Sequence, residues 1–350
     1  MEELSRQKGV SVIICCYNSS ARLEQTLAAL SRQEFHSPLS WEIIIIDNAS
    51  DDNTATTARK IWHHLEHRPN IPFGIHYEQI AGQGYARKKG LSLAAYTYAL
   101  FCDDDNWLAP DYVQGVYDIL SANDTIAACG GTGFPVFEIE KPFWFDTYAE
   151  AYAVGSQSIT EEDGRLLNLY GAGLAVNLRA IDQLAASGFH PQMMGRTGKK
   201  LSSSDDTELT YALVLMGYQL VYAKELCFSH YIPKARLQFS YLQKLFAAFG
   251  ADGPVRNLYY AHISKRFFHR LVKSWYFHLL LAIVRLVKYL IVPPKKYGRV
   301  IYFKWSVSYI RELVYLKKRY PSIIKNIQAL YKNTTPPHPV TVHNYHVSTV

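Results

Sequence analysis

Tyr98-Ala99-Leu100-Phe101-Cys102-Asp103-Asp104-Asp105-Asn106 is the stretch that decides the fold. A short apolar run, strand-like in length, stops on three consecutive carboxylates. Three aspartates after a buried strand are costly unless something cationic neutralises them. Carboxylates with an open position suit Mg2+ or Mn2+ held jointly with substrate phosphates. The competing reading is a solvated turn, in which Asp105-Asn106 caps the next segment of chain.

Upstream of this stretch the chain alternates. Residues 10–16 form a β-branched apolar run that ends on Tyr17-Asn18-Ser19-Ser20, a turn and helix-start signal, and residues 21–30 have helical periodicity. Residues 41–46 are a second run, stopped by Asp47-Asn48-Ala49-Ser50-Asp51-Asp52, with a helical stretch through about residue 65. Residues 75–77 give a third short strand, before a Gly-rich loop (Gly82, Gly84) and a helix over 86–96. Strand and helix alternating at this spacing predict βαβ units and a parallel sheet. Ligands of such sheets bind beyond the carboxyl ends of the strands, and those ends carry Asp47 and the aspartate triplet. Downstream, 127–136 and 169–177 are apolar and Gly-punctuated, 207–216 reads as helix, 218–223 as strand and 241–249 as helix.

Composition places the chain among folded proteins: 350 residues, 49% hydrophobic and 19% charged, with room for two domains or one large domain and an appendage. The net charge of +7 conceals a division. From Pro254 onward there are 17 Lys and Arg against the single acid Glu312, whereas the first 253 residues carry 20 basic and 29 acidic groups. The rear part therefore calls for an anionic partner, membrane headgroups or nucleic acid. The five cysteines show no CxxC spacing and sit in apolar runs, which reads as reduced core thiols rather than a zinc site or a disulfide framework. Residues 1–8 are polar and lead directly into a strand, so no signal peptide is expected and the catalytic half is placed in the cytoplasm.

Five motifs, in order, resemble the nucleotide-binding and acceptor segments of family-2 glycosyltransferases, which have the GT-A fold. They are Ser11-Val12-Ile13-Ile14 with Tyr17-Asn18; Ile45-Ile46-Asp47-Asn48-Ala49-Ser50-Asp51-Asp52; Gly84-Tyr85-Ala86-Arg87; Phe101-Cys102-Asp103-Asp104-Asp105-Asn106; and Ser204-Asp205-Asp206-Thr207-Glu208-Leu209 before Met216-Gly217-Tyr218. The resemblance ends near residue 245. It departs from the family at Cys15-Cys16, where proline and threonine are usual, and at Ser204-Asp205, where glycine and glutamate are usual. It implies that Tyr17, Asn18, Asp47, Arg87, Asp103 and Asp104 lie on the donor side. Within that set, Asp47 faces the base, Arg87 the base and diphosphate, Asp103 the ribose or the metal shell, and Asp104 is a bystander. It further implies that Asp105, with Asp103 and His230, holds Mn2+ or Mg2+, and that Asp206 is the general base, its pKa raised by Asp205. Gly171, Ala172 and Gly173 lack bulk and let backbone approach a sugar on the acceptor side, where Trp144 is a candidate stacking ring.

The expected architecture is thus α/β: a GT-A domain with a mostly parallel central sheet over residues 1–245, a basic amphipathic helical region over 246–333, and a loose tail over 334–350. The expected reaction is inverting transfer of a sugar, from a UDP-sugar, to a hydroxyl of a glycan acceptor carried on a lipid. A nucleotidyltransferase would want a Gly-rich, Lys/Arg-bearing loop where Tyr17-Asn18-Ser19-Ser20 stands. A nucleic-acid-binding protein would leave the aspartates unexplained, so no nucleic acid is expected. For the rear part, residues 258–292 read as one helix ended by Pro293-Pro294. Arg270, Lys273, Arg285 and Lys288 fall within about 120° of that helix, opposite Phe267, Trp275, Leu279 and Leu286. A second such stretch spans 299–319. Apolar faces with basic stripes predict helices lying on an anionic membrane surface, and hence a peripheral protein on the inner face of the cell membrane.

Overall fold

The computed structural model describes residues 6–66, 70–157, 165–193, 195, 204–264 and 267–332. The tail expected over 334–350 lies outside the described residues.

The first half alternates as expected: β1 (Gln7–Cys16), α1 (Leu23–Ser31), β2 (Trp41–Asn48), α2 (Thr54–His64), β3 (Phe73–Glu78), α3 (Gln83–Leu93) and β4 (Tyr96–Asp103). Next come β5 (Asn106–Leu108), α4 (Tyr112–Ala122), β6 (Ile126–Phe137), β7 (Ala175–Asn177), α5 (Leu178–Ala186), α6 (Asp205–Leu215) and β8 (Gln219–Ile232). The rear part is helical: α7 (Phe239–Ile263), α8 (Phe267–Arg270), α9 (Trp275–Ile291), α10 (Gly298–Tyr315) and α11 (Tyr320–Lys332).

One eight-stranded sheet has the order β3-β2-β1-β4-β7-β6-β8-β5. The pairs β1–β2, β2–β3, β1–β4 and β6–β8 are parallel, while β7 runs against β4 and β6, and β5 against β8. The central strands are apolar throughout because helices cover both sheet faces. Alternate residues serve opposite cores. Val12, Ile14, Ile43, Ile45 and Leu100 pack with α1, α2 and α4. Ile13, Ile44, Ile46 and Phe101 share the other core with α5, α6, α7, α10 and α11. The rear helices therefore close one face of the sheet formed by the first strands, and α7 runs unbroken across residue 245.

Chain order reverses around β1, with β2 on one side and β4 on the other, which opens a crevice at their carboxyl ends. There Cys15 is in register with Asp103 and Cys16 with Asp47. The first turn and the triplet are thereby neighbours.

Two expectations need correction. The helix expected over 86–96 starts at Gln83 and ends at Leu93, because Tyr96 and Thr97 join β4. The single helix expected over 258–292 is broken at two serines in extended conformation, Ser264 (ψ 138°) and Ser274 (ψ 121°). Serine offers its own side-chain bond in place of the helical ladder, here between Ser264 Oγ and His269 Nδ1 at 2.8 Å. Arg270 and Lys273 are therefore not on one stripe with Arg285 and Lys288. Arg285 itself stacks over Trp305 and Tyr309 of α10, at 5.6 and 5.9 Å. Trp275 and Leu279 turn into the core, the indole Nε1 donating to the Leu313 carbonyl at 2.8 Å. Finally, α10 approaches α7 closely because Gly250 and Gly253 are bare: a Cβ on Gly250 would sit 2.1 Å from the Trp305 carbonyl oxygen.

Candidate active site

A cleft of about 730 Å3 opens at the carboxyl ends of β1 and β4 and extends beneath the rear helices. Its near end is built by turns that hold one another. Asn18, in the left-handed region (φ 50°), donates its N–H to Ser50 Oγ at 3.1 Å and accepts from the Asp51 amide at 3.0 Å. The Ser19 amide donates to Thr54 Oγ1 at 2.8 Å. Tyr17 is left 56% exposed at the mouth, as an aromatic face open to a ligand.

The triplet divides its work. Asp104 is structural: it accepts from Ser19 Oγ, and Arg22 pairs with it at 2.5 Å at the start of α1. Burial and the neighbouring Asp105 raise its pKa. Asp105 pairs with Arg236 Nη1 at 2.9 Å, and His230 Nε2 lies 3.6 Å from its other oxygen. Burial alone would lower the pKa of Arg236, but the charge of Asp105 more than reverses this and holds the guanidinium firmly protonated.

On the opposite wall, α6 begins with Asp205-Asp206. Asp205 pairs with Arg87 Nη1 at 2.8 Å, both side chains being largely buried. Asp206 accepts from the Gly171 amide through Oδ2 and from the Thr207 amide through Oδ1, each at 2.6 Å. Burial, and then the charge of Asp205, push the Asp206 carboxyl up to about 7. Arg87 lies under the charges of Asp205, Asp103 and Asp206, which overcome its own burial and raise its pKa. Gly171 is needed where it stands, since a Cβ would meet Arg87 Nη2 at 2.6 Å and Asp206 Oδ2 at 2.9 Å. Glu208 serves the scaffold instead: it accepts from the Gln192 and Met193 amides and from Tyr259 of α7.

Of the residues singled out in the sequence, Tyr17, Asn18, Arg87, Asp103, Asp104, Asp105, Asp205, Asp206, Gly171, Ala172 and His230 come together on the cleft wall. Three others do not line it. Asp47 accepts from the Ser50 amide at 3.3 Å and closes its own turn, so Asn48 is the residue of that pair that reaches the cleft. Gly173 lies behind the wall, its carbonyl accepting from Tyr112 Oη at 2.8 Å. Trp144 is 3% exposed in a satellite core with Phe145, Tyr152 and Phe239, which removes it as a stacking ring for a sugar. Arg22 and Arg236 were missed. The signal for them was the triplet's own need for cations, which only basic residues near the strand ends can meet.

Asp103, Asp105 and His230 offer two hard carboxylates and an imidazole, a set that Mn2+ and Mg2+ accept. The Nδ1 atom of His230 is buried without a hydrogen-bond partner. Among the described residues no three such side chains converge as a ready cation site. The Arg236 guanidinium stands on Asp105 instead, so the donors fit a divalent cation once Arg236 moves aside.

Residues 11–177 match the sequence profile of Glycosyl transferase family 2. A glucosyl-dolichyl phosphate glucuronosyltransferase of Haloferax volcanii is 24% identical over 263 residues, 73% of this chain and 79% of that protein. Glycosyltransferase GlyA of Streptococcus pneumoniae is 23% identical over 240 residues, 67% of this chain and 32% of that protein. A poly-beta-1,6-N-acetyl-D-glucosamine synthase of Staphylococcus epidermidis is 27% identical over 129 residues, 37% of this chain and 29% of that protein. The matches thus span under a third of the lengths of the last two. Among solved structures, S. aureus TarS residues 1–349 in complex with UDP-GlcNAc superposes with a TM-score of 0.51 at 13% identity, over 91% of each chain. That likeness is one of fold.

Proposed function

We propose that the chain, whose residues 11–177 match the profile of Glycosyl transferase family 2, belongs to that family and transfers a sugar from a UDP-sugar to a hydroxyl of a glycan acceptor, with inversion, in cell-surface polysaccharide or glycoconjugate synthesis. The observation that carries the reading is Asp206: a carboxylate fixed by two backbone amides, facing a cleft whose other wall ends in an aspartate triplet. A base near neutrality is suited to taking a proton from a hydroxyl at cellular pH.

In this reading Tyr17 and Asn18 receive the nucleotide, and Arg87 and Asp103 the diphosphate and ribose. Asp206 takes the acceptor hydroxyl proton as that oxygen attacks the anomeric carbon, and the bond from that carbon to the diphosphate oxygen breaks. UDP leaves with the bonding electrons. Arg87 and Asp205 hold the charge around Asp206 fixed, so little reorganisation is needed as the proton moves. When bound by Asp103, Asp105 and His230, Mn2+ or Mg2+ neutralises charge on the leaving diphosphate. Gly171 and Ala172 bring backbone close to the acceptor sugar.

We further propose a lipid-linked acceptor, met by a peripheral protein on the inner face of the cell membrane. The name of the Haloferax volcanii relative, a glucosyl-dolichyl phosphate glucuronosyltransferase, supports such an acceptor. Residues 1–245 would carry the transfer and 246–333 the membrane. Soaking crystals with UDP and Mn2+ tests the donor half of the proposal: the diphosphate is expected against Asp103 and Asp105, and a diphosphate bound elsewhere would overturn it.

A further inference from the structure

The half of α9 turned away from the protein is apolar along its whole length. Tyr276, Phe277, Leu280, Leu281, Ile283, Val284, Val287, Leu290 and Ile291 are between 36% and 72% exposed, and Val292 beyond the helix is 63% exposed. At 100° per residue these helical positions cover an arc of about 180°, and Lys288 is the one charge within it. The residues facing inward are different ones: His278 and Ala282 are buried, and Arg285 stacks on Trp305. Ordinary surface helices do not expose half a circumference of large apolar groups, and patches of this size mark interaction sites.

Cations stand at both ends of the strip. Lys317 Nζ lies 4.5 Å above the Trp275 ring and 5.6 Å above that of Tyr276, at the start of α9. Lys288, Lys296 and Arg299 are exposed at and beyond its other end. No described helix is long and apolar enough to cross a membrane. An apolar half-cylinder bracketed by cations fits the plane of a bilayer, with the side chains in the acyl boundary and the amines among headgroups. A second copy of the chain fits poorly. From Pro254 onward the only acid is Glu312, so self-pairing would set like charges against each other.

We propose that the exposed face of α9 is a docking surface for an anionic lipid bilayer, and that docking brings the bilayer to the acceptor end of the cleft. The second part rests on the glycosyltransferase reading above. Lys295, just past α9, lines the cleft and lies 3.8 Å from Glu150 of the same wall, and Tyr148 Oη donates to the Lys296 carbonyl at 2.8 Å. The apolar strip therefore ends at the rim of the cleft, where a lipid-borne acceptor would enter.

Truncation is a poor test, because Leu258, Tyr309 and Leu313 belong to the main core. Substitutions on the exposed face leave that core alone. The full chain is to be floated with vesicles of phosphatidylcholine containing about a third phosphatidylglycerol, and separately with phosphatidylcholine alone. The wild type is expected to float with the anionic vesicles and to be released by high salt. Leu280→Glu/Val284→Glu/Ile291→Glu is expected to stay at the bottom with an unchanged melting temperature. Lys288→Glu is expected to weaken partitioning by well over fivefold, since neutralising one cation alone costs about fivefold. UDP–Mn2+ binding, measured by calorimetry on the same samples, separates the two proposals: loss of flotation with intact UDP binding confines the failure to docking, and flotation without UDP binding confines it to the enzymatic reading. Wild-type protein that remains at the bottom with anionic vesicles overturns the docking surface. So does a dimer, seen by light scattering, that the triple variant abolishes.

Discussion

Replacing Arg87 by methionine keeps most of its length and removes its charge. In the structure Arg87 is the counter-charge of Asp205 at 2.8 Å and also sits under the charges of Asp103 and Asp206. Its guanidinium lies 4.9 Å over the Phe101 ring, where methionine regains some contact. Breaking a buried pair by removing one partner costs about 3–5 kcal/mol, because the remaining charge is left without compensation. For a chain of this size that is a fall of roughly 4–7 °C in melting temperature. The cost must depend on pH. Arg87 lowers the raised pKa of Asp206, so without it the Asp206 carboxyl titrates still further above its unfolded value; the folded protein then binds more protons in that window and stability falls as pH rises. The stability deficit against wild type is therefore expected to be largest near pH 9 and to shrink towards pH 5, where the Asp206 carboxyl protonates. Differential scanning calorimetry at both ends of the range reads this directly. A deficit that stays constant across pH would show that Arg87 acts through packing alone, and a deficit below about 1 kcal/mol would refute the buried-pair argument.

Asp206→Asn is expected to lower kcat by about 10²–10⁴-fold while UDP affinity, measured by calorimetry, changes little. In the wild type, kcat/KM should rise with unit slope up to pH about 7 and then level, since the base must be ionised, and that limb should vanish in the variant. Gly171→Ala places a methyl 2.6 Å from Arg87 Nη2; displacing the pair beside the base is expected to cost about 10–100-fold in kcat, with donor KM nearly unchanged in steady-state assays. Asp105→Asn should abolish the gain in UDP affinity that Mn2+ gives, as read by paired titrations with and without the metal; an undiminished gain would place the cation elsewhere.

The sequence made the front of the sheet legible because its strands are covered on both faces, so β1, β2 and β4 read as unbroken apolar runs ending on polar turns. Strands β5 and β7 are three residues each and carry no periodicity, and α4, α5 and α11 lay between segments read for other signals. Within the site, Asp206 and Arg87 were found through motifs, yet no pattern in one dimension indicates that Asp104 belongs to Arg22 or Asp105 to Arg236, more than eighty residues away in each case. Trp144 shows the opposite failure. An aromatic cluster looks the same in sequence whether it lines a sugar site or fills a satellite core. The rear helices were misread at Ser264 and Ser274, where two hydroxyls end helices that hydrophobic periodicity alone would join.

Three carboxylates of the cleft already have arginine partners: Asp104 with Arg22, Asp205 with Arg87 and Asp105 with Arg236. A nucleotide-sugar diphosphate carries two negative charges and a divalent cation two positive ones, so the pair arrives neutral. On the proposed reading Asp105 would hold the cation, and Arg236, its partner at 2.9 Å, would be released towards the phosphates, an exchange of ions. No net charge enters the protein, so uptake of donor and metal together should depend only weakly on ionic strength. The donor alone, arriving with its charge uncompensated, should bind with a steeper salt dependence.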